Sequence, residues 1–175
     1  WILVITCLWT RAINLKLCLS LDTRDMLQAL QIHVHEFGLF QQCFSDLGSQ
    51  MSAGFNIIRT FLDDPETKSF LAAKGIKSID FQQYCKGNSA LGSIVETCVK
   101  QTKFMLNKSL KSNVLEVFHF QFLISQVVHL VNRRPIAFRE ALTDPNSNDV
   151  PGVLTPEIML HGYELTSVNL IPELQ

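Results

Sequence analysis

Two acidic residues, Asp46 and Glu96, have neighbours that give them chemical interest. Asp46 follows the apolar stretch LFQQCFS and opens SDLGSQ, so its carboxylate is expected at the carboxyl end of a buried strand. Glu96 lies in GSIVETCVKQTK on the first turns of an expected helix, with Lys100 and Lys103 after it. At about 100° per residue Lys100 and Lys103 each fall within about 40° of Glu96, a stripe of one carboxylate and two ammonium groups. Carboxylates from a strand end and a helix start can hold two Mg²⁺ ions, which activate an attacking oxygen and stabilise the leaving oxygen of a phosphodiester. Lysines on the same stripe would lie beside that centre, against the phosphates of DNA. The pattern predicts nucleotidyl transfer.

Each half of the pattern also has a purely local explanation. Aspartate two residues before glycine forms turns by accepting a hydrogen bond from its own backbone. A glutamate early in a helix with lysines after it suits the helix dipole and i,i+4 pairing.

The elements that must position these residues follow from periodicity. WILVITCLW reads as a buried strand, and INLKLCLS alternates Ile13, Leu15, Leu17 and Leu19 against Asn14, Lys16 and Cys18, so the opening predicts a hairpin. Asp22 and Asp25 make a capping-box-like start to a helix carrying Met26, Leu27, Leu30, Val34 and Phe37 on one face and ending at Gly38. After the strand LFQQCFS, a second helix puts Phe55, Ile58, Phe61 and Leu62 on one face. Asp64-Pro65-Glu66 opens a third helix that closes at Gly75. GIKSIDF is a further strand, QYCKGNSALGS a polar loop, Ile94 to about Leu110 a long helix and Phe118 to Val131 another, ended before NRRP. Strands first, then βαβ alternation, then helices describe an α/β domain with a mixed sheet over 1–142, followed by an extended surface segment over 143–175.

Composition sets limits on function. The 175 residues are 47% hydrophobic and 18% charged with a net charge of -1, so nucleic-acid contact must come from a local patch. The opening apolar run is interrupted at Arg11, too short for a membrane span, and a start at Trp1 reads as a segment of a longer polypeptide. Five scattered cysteines with no C-x-x-C pair fit reduced core thiols of an intracellular protein. His33 and His35 point different ways on their helix, which argues against joint metal ligation. GNSALG misses the glycine spacing of a hydrolase nucleophile elbow by one residue. Arg133 and Arg134 serve either as caps of the last helix or as a basic edge toward DNA, and Trp1, Trp9 and the phenylalanines are expected in the core.

These motifs together resemble the catalytic core of retroviral and retrotransposon integrases. SDLGSQ is similar to the second-aspartate motif, and KGNSALGSIVETCVKQTK to the mobile loop and the helix bearing the family's glutamate. WILVITCLWTRAINLKLCL resembles the second and third strands, KGIKSIDF the strand before the loop, and VNRRP with LTPEIMLHGYEL the closing segments of the Pao-like retrotransposon branch. The resemblance implies a ribonuclease H-like mixed sheet flanked by helices. It implies that Asp46 and Glu96 are the second and third members of a catalytic acidic triad, binding Mg²⁺ or Mn²⁺ in the complete domain. Lys100, Lys103, Asn88 and Ser89 would contact DNA, with Gly87 and Gly92 bounding the active-site loop.

Departures from the pattern carry expectations of their own. Asp46 and Glu96 are 50 residues apart against the roughly 35-residue interval of the retroviral enzymes, an insertion the core tolerates. Val99 stands where the retroviral helix has asparagine. The family's first aspartate lies on a strand before WILVITCLW, and Asp22 and Asp25 read as helix caps rather than substitutes for it. The stretch is therefore expected to lack its first strand and to be inactive alone. The resemblance implies DNA as partner, both element ends and target, homo-oligomers in the parent protein, no membrane, and passage from a cytoplasmic particle to the nucleus. A catalytically dead DNA-binding or protein-interaction module derived from a transposable element is the alternative.

Overall fold

A computed structural model describes residues 1–46, 48–75, 79–83, 89–110, 115–139 and 152–162. β1 (Ile2–Thr6) and β2 (Ile13–Leu17) form the expected antiparallel hairpin, in register from Ile2↔Leu17 to Thr6↔Ile13. The Cys7 N–H donates to Ala12 O at 2.8 Å and the Cys18 N–H to Trp1 O at 2.9 Å. In antiparallel pairing such bonded residues alternate, so Trp1, Leu3, Ile5 and Cys7 spend their main-chain groups on β2. Those of Ile2, Val4 and Thr6 point to the opposite edge.

The helices cover the hairpin on two faces. α1 (Thr23–Phe37) lies against β2, where Lys16 Nζ reaches Glu36 Oε2 at 2.6 Å and Asn14 Nδ2 donates to Glu36 Oε2 at 3.4 Å. Helix α1 closes at Gly38, whose φ of +84° favours glycine. Asp25, not Asp22, does the work at its start: Oδ2 of Asp25 accepts the Ser20 N–H at 2.8 Å, while Asp22 forms no side-chain cap. On the other face α4 (Ser89–Leu110) and α5 (Val117–Asn132) enclose Ile13 and Leu15 of β2 with Cys98, Leu106, Ile124, Val127 and Val131. Burying a side chain such as Val127, at 0% exposure, contributes about 1.5–3 kcal/mol.

A second, parallel pair joins β3 (Gln42–Ser45) to β4 (Asp80–Gln83), in register Gln42↔Asp80 to Ser45↔Gln83. Between them run α2 (Ser49–Asp63) and α3 (Pro65–Ala73), and Asp64 caps α3 by accepting the Thr67 N–H at 3.0 Å. Phe55 of α2 packs on Phe81 of β4, ring centroids 4.7 Å apart, and the Arg59 guanidinium donates to Phe81 O. Helices α1 and α2 meet at Gly54, where a Cβ would come within 2.2 Å of Met26 Cε. The third pair is antiparallel, β5 (Ala137–Arg139) with β6 (Gly152–Leu154), and α6 (Pro156–His161) follows. The described part of the segment after residue 143 thus holds a strand and a short helix rather than running extended throughout. On α6, Glu157 is 3% exposed and faces His129 of α5, Oε1 to Nδ1 at 3.2 Å.

Several core expectations are overturned. Trp1 is 68% and Trp9 84% exposed, because Trp1 ends an edge strand and Trp9 sits on the hairpin turn, where no layer covers either. Phe37, Phe61, Phe70, Phe104, Phe118 and Phe122 are exposed as well, and Leu19 lies beyond the end of β2 in solvent. No described helix is long and apolar enough to cross a membrane.

Candidate active site

Asp46 stands at the carboxyl end of β3, as expected, and is exposed. Its backbone is tied to the sheet by buried Ser45, whose hydroxyl donates to Asp46 O at 2.9 Å. Its carboxylate closes a local turn, Oδ1 accepting the Gly48 N–H at 3.1 Å just before α2 begins. The turn-forming role of Asp46 is therefore real, and it fixes where the carboxylate sits.

Helix α4 is amphipathic in the sense the spacing predicts. Cys98, Thr102 and Leu106 are buried, with the Thr102 hydroxyl donating to Cys98 O at 2.8 Å. Glu96, Lys100 and Lys103 lie on its exposed face, and among the described residues none of the three is in a salt bridge. The i,i+4 pairing offered as their local explanation is not formed. The helix starts earlier than its periodicity indicates: Ser89 is its first residue, and Gly92 is inside it rather than in a loop. A glycine in a helix costs only about 1 kcal/mol, which the packing of a 22-residue helix overrides. Glu96 consequently sits deeper in the helix than its first turns. Gly87 and Asn88 lie outside the described residues, as does the side chain of Ser89.

The strand end and the helix meet at a cleft of about 800 Å³, whose wall includes Asp46 and Gly48 on one side and Val95 and Val99 of α4 on another. Val95 and Val99 flank Glu96 along the helix, and Val99 faces this cleft. The two arginines are committed to the fold. Arg134 donates to Val131 O and to Arg11 O, both at 2.8 Å, and Arg133 Nε lies 3.8 Å from Glu157 Oε2.

Asp46 and Glu96 are two carboxylates on separate elements, and among the described residues no three of His, Cys, Asp or Glu cluster to hold a metal ion. Hard cations such as Mg²⁺ require several oxygen ligands in near-octahedral order. The donor set described here falls short of a magnesium centre.

Sequence reasoning missed Thr6, Asn14 and His33 as walls of the cleft, and each has a buried side-chain atom without a hydrogen-bond partner. The available signal was the uncharged run ILVI, which suits a strand with neighbours on both edges.

No protein-family model and no curated protein matches the sequence. Among solved structures the chain is similar to one from a simian T-cell lymphotropic virus intasome in complex with PP2A regulatory subunit B56 gamma, with a TM-score of 0.56 and 13% identity over 98% of this chain. It is also similar to the catalytic core domain of BIV integrase, with a TM-score of 0.55 and 12% identity over 91% of this chain and 84% of that one. The chain spans about half, 51%, of the simian virus chain. At such identities a likeness speaks for architecture alone, and the chain has the mixed α/β, ribonuclease H-like fold of retroviral integrase catalytic cores.

Proposed function

We propose that this chain is part of the catalytic core of a retroelement integrase, of the LTR-retrotransposon kind that resembles the Pao-like branch, and that it acts on DNA in the nucleus. Helix α4 would lie along the DNA with Lys100 and Lys103 against phosphates. Asp46 and Glu96 would be the carboxylates of this stretch that face the metal in a complete enzyme. The observation that carries the reading is the exposed stripe of Glu96, Lys100 and Lys103 on a helix that borders the same cleft as Asp46, within an integrase-core fold. When bound, Mg²⁺ would supply activation of the attacking oxygen and stabilisation of the leaving one. This chain's own residues would position the DNA.

The second reading is a catalytically dead DNA-binding or protein-interaction module of transposable-element origin. The exposed Lys100 and Lys103 on α4 support it equally, since phosphate contact by lysines needs no metal.

Fluorescence anisotropy with a short DNA duplex across a salt series tests the DNA contact. Replacing both Lys100 and Lys103 by Glu should flatten the log-log salt slope by about two, since each phosphate contact contributes about 0.9. The same charge change at Lys68 of α3 and at Lys74, which follows it, should leave it nearly unaltered. Equal losses in the two double variants would remove α4 as the DNA face. A strand-transfer assay with Mg²⁺ or Mn²⁺ should show no turnover by the chain alone, and turnover would mean that its donor set is complete after all.

A further inference from the structure

Away from the cleft, a smaller groove lies between α4 and the end of α5. It holds about 180 Å³ and is lined, among the described residues, by Gln101, Phe104 and Met105 of α4, Leu130 and Val131 of α5, and Arg134. Clefts for drug-sized molecules hold about 300–1,000 Å³, so this one has room for a single ring system.

The order of residues around α4 sets the chemistry of its wall. At about 100° per residue Phe104 lies about 40° from Lys100, Gln101 about 60° beyond Phe104, and Met105 about 40° further on. From the exposed lysines the helix surface therefore passes to an aromatic ring, then to a primary amide, then to the apolar side that packs on the core. Arg134 adds a fixed guanidinium, held by its bonds to Val131 O and Arg11 O.

Two features of this wall are unspent. The Phe104 ring is 66% exposed, and Gln101 Oε1 is buried without a hydrogen-bond partner. A single exposed phenylalanine is ordinary, but a buried acceptor that nothing pairs is costly and uncommon. Here both stand beside Lys100 and Lys103, which among the described residues are in no salt bridge. Cations next to an open aromatic ring suit single-stranded nucleic acid, because the cations take the backbone and the ring takes the face of a base. In a duplex every base is already stacked and paired, so only an unpaired one reaches such a groove.

We propose that the groove is a subsite for one unpaired adenine of the DNA strand whose phosphates meet Lys100 and Lys103. The base stacks on Phe104, its N6 amino group donates to Gln101 Oε1, and Gln101 Nε2 donates to its N7, the two-bond pairing by which a glutamine amide reads adenine. Met105, Leu130 and Val131 supply the apolar remainder of the wall. The subsite rests on the DNA-binding role proposed above for α4, and adds to it a preference for a strand that is not fully paired.

The probe is a fluorescent DNA duplex with a short single-stranded overhang, made in three forms with the same phosphates: adenine, purine lacking the 6-amino group, and abasic. Anisotropy titrations with the full chain should give the adenine form at least about fivefold the affinity of the abasic one, the factor that base–aromatic stacking alone supplies. The amino-free purine should fall between them. Phe104→Ala should bring the adenine form close to the abasic level, and Gln101→Leu should make adenine and the amino-free purine equal. Phe70→Ala, which removes an exposed ring of α3, should keep the whole series. Equal affinity for the adenine and abasic forms, with binding still weakened by replacing Lys100 and Lys103 by Glu, would overturn the subsite and leave α4 as the DNA face. A preference for adenine that survives Phe104→Ala would overturn it as well. No binding of any of the three forms would overturn the DNA reading itself, and the subsite with it.

Discussion

Asn132 grips the main chain of Ile13 from both sides: its Oδ1 accepts the Ile13 N–H at 2.8 Å and its Nδ2 donates to Ile13 O at 2.9 Å. Because Ile13 lies between residues that bond β1, its main-chain groups face the outer edge of the hairpin. The side-chain amide of the last residue of α5 therefore acts there as a fragment of strand, and it seals that edge of β2.

Replacing Asn132 by Ala removes both bonds and leaves a buried N–H and C=O unpaired, so stability should fall by about 2–4 kcal/mol. Asp at the same position keeps an acceptor but sets a carboxylate against Ile13 O, and should be no better at neutral pH. Urea unfolding followed by circular dichroism checks this. A loss below about 1 kcal/mol for Asn132→Ala would show that water or relaxation replaces the clamp.

Of the three cysteines in the cleft wall, Cys7 and Cys43 differ in how readily they ionise. Burial around Cys7 works against ionisation, but hydrogen bonds from Thr10 and Trp9 outweigh it and bring the thiol below its ordinary value. Burial alone pushes the Cys43 thiol up to about 11. Since the thiolate is the nucleophile, iodoacetamide at pH 8 should modify exposed Cys7 well before Cys43. Peptide mapping by mass spectrometry reads the order, and faster labelling of Cys43 in the folded chain would contradict the described burial.

Much of the fold was legible wherever local chemistry set it. Asn14 and Lys16 alternate with Ile13 and Leu15, and the two sets do meet different helices, α1 on one side and α4 with α5 on the other. Asp64-Pro65 and Gly38 mark helix ends because a cap, a ring and a left-handed residue act within one turn. The exposed stripe of α4 was legible for the same reason, since helical period alone decides it. Trp1, Trp9, Phe61 and Phe118 were misplaced because hydrophobicity does not say which face another layer will cover. That β1 and β3 border one cleft was not legible, because packing between segments distant in sequence brings the two strand pairs together.

Gly48 offers a way to move Asp46 without disturbing the rest. Its φ of -57° is ordinary for any residue, so alanine there brings no backbone strain. A Cβ would stand 3.1 Å from Asp46 Oδ1 and 3.6 Å from Gln50 Oε1, a contact that the carboxylate relieves by shifting a few tenths of an ångström, which weakens its bond to the residue 48 N–H. Losing one exposed hydrogen bond costs about 1 kcal/mol, while the lower entropy of the unfolded chain returns about 0.4–1 kcal/mol. Gly48→Ala should therefore leave the thermal midpoint nearly unchanged while the amide of residue 48 exchanges with solvent several times faster than in the native chain. Asp46→Asn, which keeps an acceptor oxygen, should retain the slow exchange. Were the alanine variant to exchange as slowly as the native chain, the carboxylate would not be held by this turn, and the placement of Asp46 at the cleft would need another cause.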